Sequence, residues 1–160
     1  MSSATTSTSE RNDVTEDSVQ VVRIERTFDA PAEDVFDAWT SEEVIRRWFR
    51  PAQGWQEPSA EVDLRLGGTV RVVMRDPSGD PVGAGGEYTE IDRPNRLVFT
   101  WTFDDDPSNQ QLIELEFTER DGATTVVFVN SNISEEKRRD AQYDGWSACF
   151  DEMRRVLASK

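Results

Sequence analysis

The sequence predicts an α+β domain: a curved antiparallel sheet of about six or seven strands wrapped on a long C-terminal helix, with two short helices after the first strand. Three observations predict it. Apolar and polar residues alternate through a series of short stretches, which is the period of half-buried strands. Short turn-forming links join these stretches, as antiparallel neighbours require. From Ser134 to Leu157 the period becomes helical, with Trp146, Phe150, Met153 and Leu157 on one stripe and Tyr143 a turn earlier.

The elements follow in order. Gln20 to Phe28 alternates, with Val22, Ile24 and Phe28 on one face. Asp29-Ala30-Pro31 stops that strand, and Pro31 with Glu33 and Asp34 suits the start of a helix carrying Val35, Phe36 and Trp39. Thr40-Ser41-Glu42-Glu43 resembles a capping box for a second helix with Val44, Ile45, Trp48 and Phe49. After a connector from Arg50 to Pro58, strands are expected at Glu61–Leu66, Thr69–Asp76, Val82–Ile91, Arg96–Phe103, Leu112–Glu119 and Thr124–Asn130. Gly67-Gly68, Pro77-Ser78-Gly79-Asp80, Asp92-Arg93-Pro94-Asn95 and Asp121-Gly122 punctuate them. The C-terminal helix is the one element long enough to cover the sheet's apolar face.

Composition bounds the function. The chain has 160 residues, 36 % of them hydrophobic, a formal net charge of −14 and no histidine. One domain is expected, over residues 19–160. Without histidine there is no Ser-His-Asp or Cys-His catalysis. One cysteine, Cys149, allows neither an internal disulfide nor a Cys/His zinc site. An acidic surface is unsuited to nucleic acid, which needs clustered cations. Residues 1–18 are rich in Ser, Thr and acids and read as a disordered tail. That tail holds one arginine against four acids, so most of the negative charge belongs to the domain.

Asp63 and Arg65 at i,i+2 spacing share a strand face and read first as a polar network; the functional alternative is a polar anchor in a cavity. Arg26 falls on the apolar phase of the first strand, either as a snorkelling strand-end residue or as an anchor. Gly67-Gly68 reads as a bend rather than a phosphate loop, since no P-loop pattern follows. Asp104-Asp105-Asp106 reads as a solvated loop, and no metal site is expected. Cys149 reads as a small buried hydrophobe.

Several segments together resemble a known family. They are Phe28-Asp29-Ala30-Pro31 with Val35, Phe36, Ala38 and Trp39; Trp48-Phe49-Arg50-Pro51; Asp63-Leu64-Arg65-Leu66-Gly67-Gly68; Gly86-Glu87-Tyr88 with Glu90-Ile91; Arg93 to Trp101; and Gly145-Trp146. In this order they resemble the Hsp90-ATPase-activator homologue (AHSA1-like) family of the helix-grip, START-like superfamily, also called SRPBCC or Bet v 1-like. Trp-Phe-x-Pro departs from the commoner Trp-Trp-Gly-Pro form.

The resemblance implies a helix-grip fold with a hydrophobic cavity between sheet and last helix, open near the short helices. Trp39, Trp48, Phe49, Met74, Tyr88, Phe99, Trp101, Phe117, Trp146, Phe150 and Met153 are the expected lining, with Arg26, Asp63 and Arg65 as candidate anchors. The expected ligand is a hydrophobic or amphipathic small molecule: lipid, polyketide-like or aromatic. Two alternatives accompany it. One is an Hsp90-activating co-chaperone, disfavoured because the chain resembles only the C-terminal domain of the two-domain activators. The other is a cyclase- or hydrolase-type enzyme, for which Tyr88, Glu90, Asp63 and Arg65 are the nearest groups; nothing pairs them at catalytic spacing, and no catalytic residue is assigned. No cofactor, nucleic acid or membrane insertion is expected, and a homodimer is left open.

Lys137 and Lys160 are the only lysines, and Asp plus Glu outnumber Lys plus Arg 32 to 18. This pattern points to a halophile's cytoplasmic protein, whose dense carboxylates stay hydrated while salt screens their repulsion within a few Å. The melting temperature, followed by calorimetry, is expected to rise steeply from low to molar KCl; a flat profile contradicts the halophilic reading.

Overall fold

In a computed structural model, residues 20–158 are described; the tail expected over residues 1–18 lies outside them. The chain runs β1 (Gln20–Phe28), α1 (Ala32–Thr40), α2 (Glu42–Trp48), β2 (Gln56–Val62), β3 (Thr69–Arg75), β4 (Pro81–Asp92), β5 (Arg96–Phe103), β6 (Gln111–Arg120), β7 (Ala123–Ile133) and α3 (Glu136–Ala158). The seven strands form one antiparallel sheet in the order β1-β7-β6-β5-β4-β3-β2. The first strand therefore closes the sheet beside the last, while every later strand pairs with its sequence neighbour. No described helix is long and apolar enough to cross a membrane.

The alternation of the sequence becomes the two faces of this sheet. Val22, Ile24 and Phe28, then Leu97, Phe99 and Trp101, then Ile113, Leu115 and Phe117, then Val126 and Phe128, all lie buried on the face that α3 covers. The opposite face is polar and laced with ion pairs. Arg96 there reaches Glu90, Glu114 and Glu116, each at 3.1 Å. Asp121 (φ 55) and Gly122 (φ 81) make the β6–β7 turn with two left-handed residues, as the Asp-Gly pair predicts. At Gly86 a Cβ would overlap the Thr100 carbonyl of β5, so only glycine lets these strands approach there.

Side chains fix how the helices meet the sheet. The Ala32 N–H opening α1 donates to Glu119 Oε1 of β6 at 2.9 Å, satisfying a donor that a helix start leaves free. Ser41 Oγ caps α2 by accepting from Val44 N–H. The expected capping box is not formed: the cap falls on Ser41 and Glu43 pairs with Arg47 at 3.0 Å, while Glu42 accepts from Val62 N–H at 2.8 Å, tying α2 to the edge strand β2. α3 is tied to β1 by Arg26 Nη1 to Asp151 Oδ1 (2.8 Å), Arg139 Nη1 to Gln20 Oε1 (3.1 Å) and Arg154 Nη2 to the Thr27 carbonyl (3.3 Å).

Two expectations need correcting. The strand expected at residues 61–66 begins earlier, at Gln56, and ends at Val62. Residues 63–68 form a tight turn in which Gly68 N–H donates to the Arg65 carbonyl and Gly67 adopts φ +79°. Leu64 and Leu66 mimic strand alternation but are 40 % and 66 % exposed. The true strand buries only the small residues Pro58 and Ala60, so its hydrophobic signal is weak, and its edge position tolerates proline. Tyr143, placed on the apolar stripe of α3, is 49 % exposed; Gln142 takes the inward position.

Candidate functional site

Between the N-terminal half of α3 and the β3–β5 end of the sheet lies a cavity of about 240 Å³. Met74 of β3, Val82 of β4 and Trp101 and Phe103 of β5 form its sheet side. Phe49, Pro51 and Trp55, from the segment after α2, form one wall. Arg138, Ala141, Gln142, Gly145, Trp146 and Cys149 of α3 form the roof, and Asp105 completes the rim. A narrower crevice of about 10 Å³ continues inward between Trp39, Trp48, Phe99, Trp101 and Trp146. Two wider depressions, of about 550 and 700 Å³, lie elsewhere on the surface. They run over the ion-paired residues Arg96 and Glu116 and Arg71 and Asp104, and are more open to solvent than the cavity under α3.

An interlocked set of rings holds the inner wall. Trp39 touches Trp48 (4.7 Å between ring centroids), Phe150 (5.7 Å), Trp146 (6.0 Å) and Phe128 (6.0 Å). Trp146 in turn meets Phe128 (4.8 Å), Phe49 (5.3 Å) and Trp101 (5.8 Å). Trp48 is further fixed by its indole N–H, which donates to the Ala38 carbonyl at 2.7 Å. Trp146 and Trp101 therefore line the cavity from a backing of other rings.

Few of the lining residues carry polar side-chain atoms beyond the indoles. Trp101 is 1 % exposed and Gln142 8 %. Gln142 Oε1 accepts from Asn130 Nδ2 at 3.0 Å, while Gln142 Nε2 and Trp101 Nε1 have no hydrogen-bond partner among the described residues. An unpaired buried donor costs about 1–3 kcal/mol. At the rim the Arg138 guanidinium faces Asp106 (3.6 Å) and Asp105 (3.9 Å). The acidic loop is thus engaged: its third acid, Asp104, takes a two-pronged hydrogen bond from Arg71 at 2.6 and 3.0 Å.

The predicted lining divides. Phe49, Met74, Trp101 and Trp146 line the cavity, and Trp39, Trp48 and Phe99 line the crevice behind it. Phe117, Phe150, Met153 and Tyr88 are buried in the filled core, Phe150 against Phe28 and Tyr88 against Phe99. Arg26 packs over the Phe150 ring and pairs with Asp151, away from the cavity. Asp63 and Arg65 pair with one another at 2.9 Å on the exposed turn after β2. Glu90 faces outward to Arg96. The groups weighed for acid–base work therefore do not meet in the cavity.

Arg138, Gln142 and Cys149 were missed as lining. Arg138, Gln142 and Trp146 are spaced by four residues, and Cys149 follows three later, a helical signal present in the sequence. The aromatic Tyr143 drew attention from that phase.

A seven-stranded antiparallel sheet covered by a long C-terminal helix, with two short helices after the first strand, defines the helix-grip, START-like class. Within that class the chain belongs to the family described as Activator of Hsp90 ATPase homolog 1-like protein, whose model matches residues 29–158. Solved structures agree on the fold. A protein from Chromobacterium violaceum is similar with a TM-score of 0.78 at 21 % identity, over 86 % of this chain and 96 % of that one. One from Rhizobium leguminosarum gives 0.75 at 24 %, over 89 % and 97 %. An HSP90 activator from Plasmodium falciparum gives 0.69 at 24 %, over 86 % and 96 %. No curated protein sequence matches the chain.

Burial pushes the Cys149 thiol well above its ordinary value of 9.0, and burial with the nearby Asp63 charge pushes the Tyr88 phenol above 10.0. Both groups stay neutral in the folded state while the unfolded chain ionises. Their contribution to stability is full below about pH 9 and is lost as pH rises further. Ellman's reagent at pH 8 is expected to leave Cys149 unmodified until denaturant is added, and the melting temperature to fall above pH 9. Fast stoichiometric labelling of the native protein contradicts this picture.

Proposed function

We propose that this protein binds a compact hydrophobic small molecule in the cavity under the N-terminal half of α3. The observation that carries the reading is the cavity itself: about 240 Å³, walled by Phe49, Trp55, Met74, Trp101, Phe103 and Trp146. Protein interiors pack to crystal density, so an apolar space of this size is a departure from ordinary core. Its size selects the ligand. A cavity of about 150 Å³ accommodates benzene, and drug-sized ligands occupy about 300–1,000 Å³. The present space suits one or two fused rings better than a lipid chain. Trp146 and Trp101 supply flat stacking faces, and Met74 an adaptable wall.

The family description and the Plasmodium neighbour favour a second reading, stimulation of an Hsp90 ATPase. Ligand binding is preferred because it rests on a feature of this chain. The third reading, an enzyme, has no support from the positions of Tyr88, Glu90, Asp63 and Arg65.

N-phenyl-1-naphthylamine, a neutral probe that fluoresces in apolar surroundings, is expected to bind saturably at one site per chain. Ala141→Trp, placed at the exposed rim, is expected to abolish that binding without lowering the melting temperature. An enhancement that never saturates, or that survives Ala141→Trp unchanged, overturns the reading.

A further inference from the structure

The loop that borders the cavity under α3 is held unevenly. Residues 104–110 join β5 to β6, and both ends of this loop are fastened by hydrogen bonds. At the near end Asp104 accepts from Arg71 at 2.6 and 3.0 Å. At the far end Asn109 Nδ2 donates to the Asn132 carbonyl at 2.8 Å, and Asn132 Nδ2 donates to the Gln110 carbonyl at 2.7 Å. Between these posts the loop turns on itself, with Asp106 N–H donating to the Phe103 carbonyl and Asn109 N–H to the Asp106 carbonyl. The middle of the loop reaches α3 through Arg138, whose guanidinium lies 3.6 Å from Asp106 and 3.9 Å from Asp105. No Arg138 nitrogen makes a hydrogen bond among the described residues.

This weakly held stretch lies at the cavity's mouth. Arg138 and Asp105 both line the cavity. Of the same lining, Trp55, Val82 and Phe103 are only half-buried and Ala141 is exposed, so the cavity opens to solvent along this side. The ion pairs thus join helix to loop at the edge of the opening. The helix is the fixed partner, because neighbouring Arg139 is bonded to Gln20 of β1 at 3.1 Å. Charges 3.6–3.9 Å apart without a hydrogen bond attract through the field alone, and salt screens that field. The screening length is about 10 Å at 0.1 M and about 3 Å at 1 M, so the attraction acts at the lower concentration and is largely lost at the higher. The hydrogen bonds at the two ends of the loop do not rest on such attraction alone, which leaves the middle as the part free to swing.

We propose that Arg138, Asp105 and Asp106 form an ionic latch at the mouth of the cavity, which holds the β5–β6 loop against α3 while a ligand is inside and lets it pass when the pairs separate. This rests on the cavity being the binding site. The latch governs how fast a ligand enters and leaves; which ligand fits is set by the apolar walls behind it. Exposed ion pairs are individually weak, so opening the latch is expected to change release about three- to fivefold rather than by orders of magnitude.

Stopped-flow release of bound N-phenyl-1-naphthylamine, measured well below the melting temperature, tests the latch. Arg138→Gln, and Asp105→Asn with Asp106→Asn, are each expected to speed release about three- to fivefold at about 0.1 M KCl, with the melting temperature little changed. The ratio of variant to wild-type release is expected to approach one at about 1 M KCl; taking the ratio cancels the general effect of salt on an apolar probe. Arg138→Glu is expected to speed release in the same way. Adding Asp106→Arg to it reverses the pair and is expected to restore slow release, which a change of packing alone would not do. Release that no variant moves, or a reversed pair no slower than Arg138→Glu alone, overturns the latch while the cavity reading stands. A variant-to-wild-type ratio that is the same at both salt concentrations also overturns it. Failure of the probe itself to bind overturns both the cavity reading and this proposal.

Discussion

The structure depends on the contact between Trp39 and Trp146. Trp39 ends α1, Trp146 sits mid-way along α3, and their centroids lie 6.0 Å apart with Phe128 of β7 touching both. Through these rings the short helices, the long helix and the sheet share one contact point. Ring pairs of this kind contribute about 0.5–1.5 kcal/mol each beyond the area they bury, and the cluster contains several. Since aromatic rings are rigid, the cluster also sets the spacing between α3 and the sheet at this point.

That spacing explains why the cavity lies where it does. Toward its C-terminal end α3 buries Phe150, Met153 and Leu157 and the interface is filled. Toward its N-terminal end the inward positions hold Gln142 and Gly145, with Ala141 at the rim. These side chains are too short to span the gap that Trp146 sets. Adding a Cβ to Gly145 would bring it to 3.3 Å from Pro51, so the loop after α2 closes on the helix backbone there. The cavity is thus the consequence of large rings at one point and small or polar residues one turn away.

Much of this was legible beforehand. The strand alternation, the turns at Asp121-Gly122 and Asp92–Asn95, and the change to helical period at the C-terminus gave the architecture, because each is a local pattern with a large apolar contrast. β2 escaped because its inward residues, Pro58 and Ala60, are small, while Leu64 and Leu66 imitate a strand within a turn. The site was legible only in part. Aromatic residues on the correct faces were evident, but periodicity cannot distinguish a ring that fills the core, such as Phe117, from one that bounds a cavity, such as Trp101. That distinction depends on what stands opposite, and opposite Trp101 stand residues of α3 far away in sequence. The anchors Asp63 and Arg65 depended on the misplaced strand and moved with it. The true polar residue, Gln142, carries no hydrophobic signal and lay beside a more conspicuous tyrosine.

The central claim, that a ligand enters beside Trp101 and Trp146 and not elsewhere in the core, is tested most directly by the indole N–H signals of the five tryptophans in a ¹⁵N-labelled sample. On saturation with N-phenyl-1-naphthylamine, the signals of Trp55, Trp101 and Trp146 are predicted to move. That of Trp48, whose N–H is held by the Ala38 carbonyl, is predicted to stay in place. Unmoved Trp101 and Trp146 signals at saturation would contradict the account.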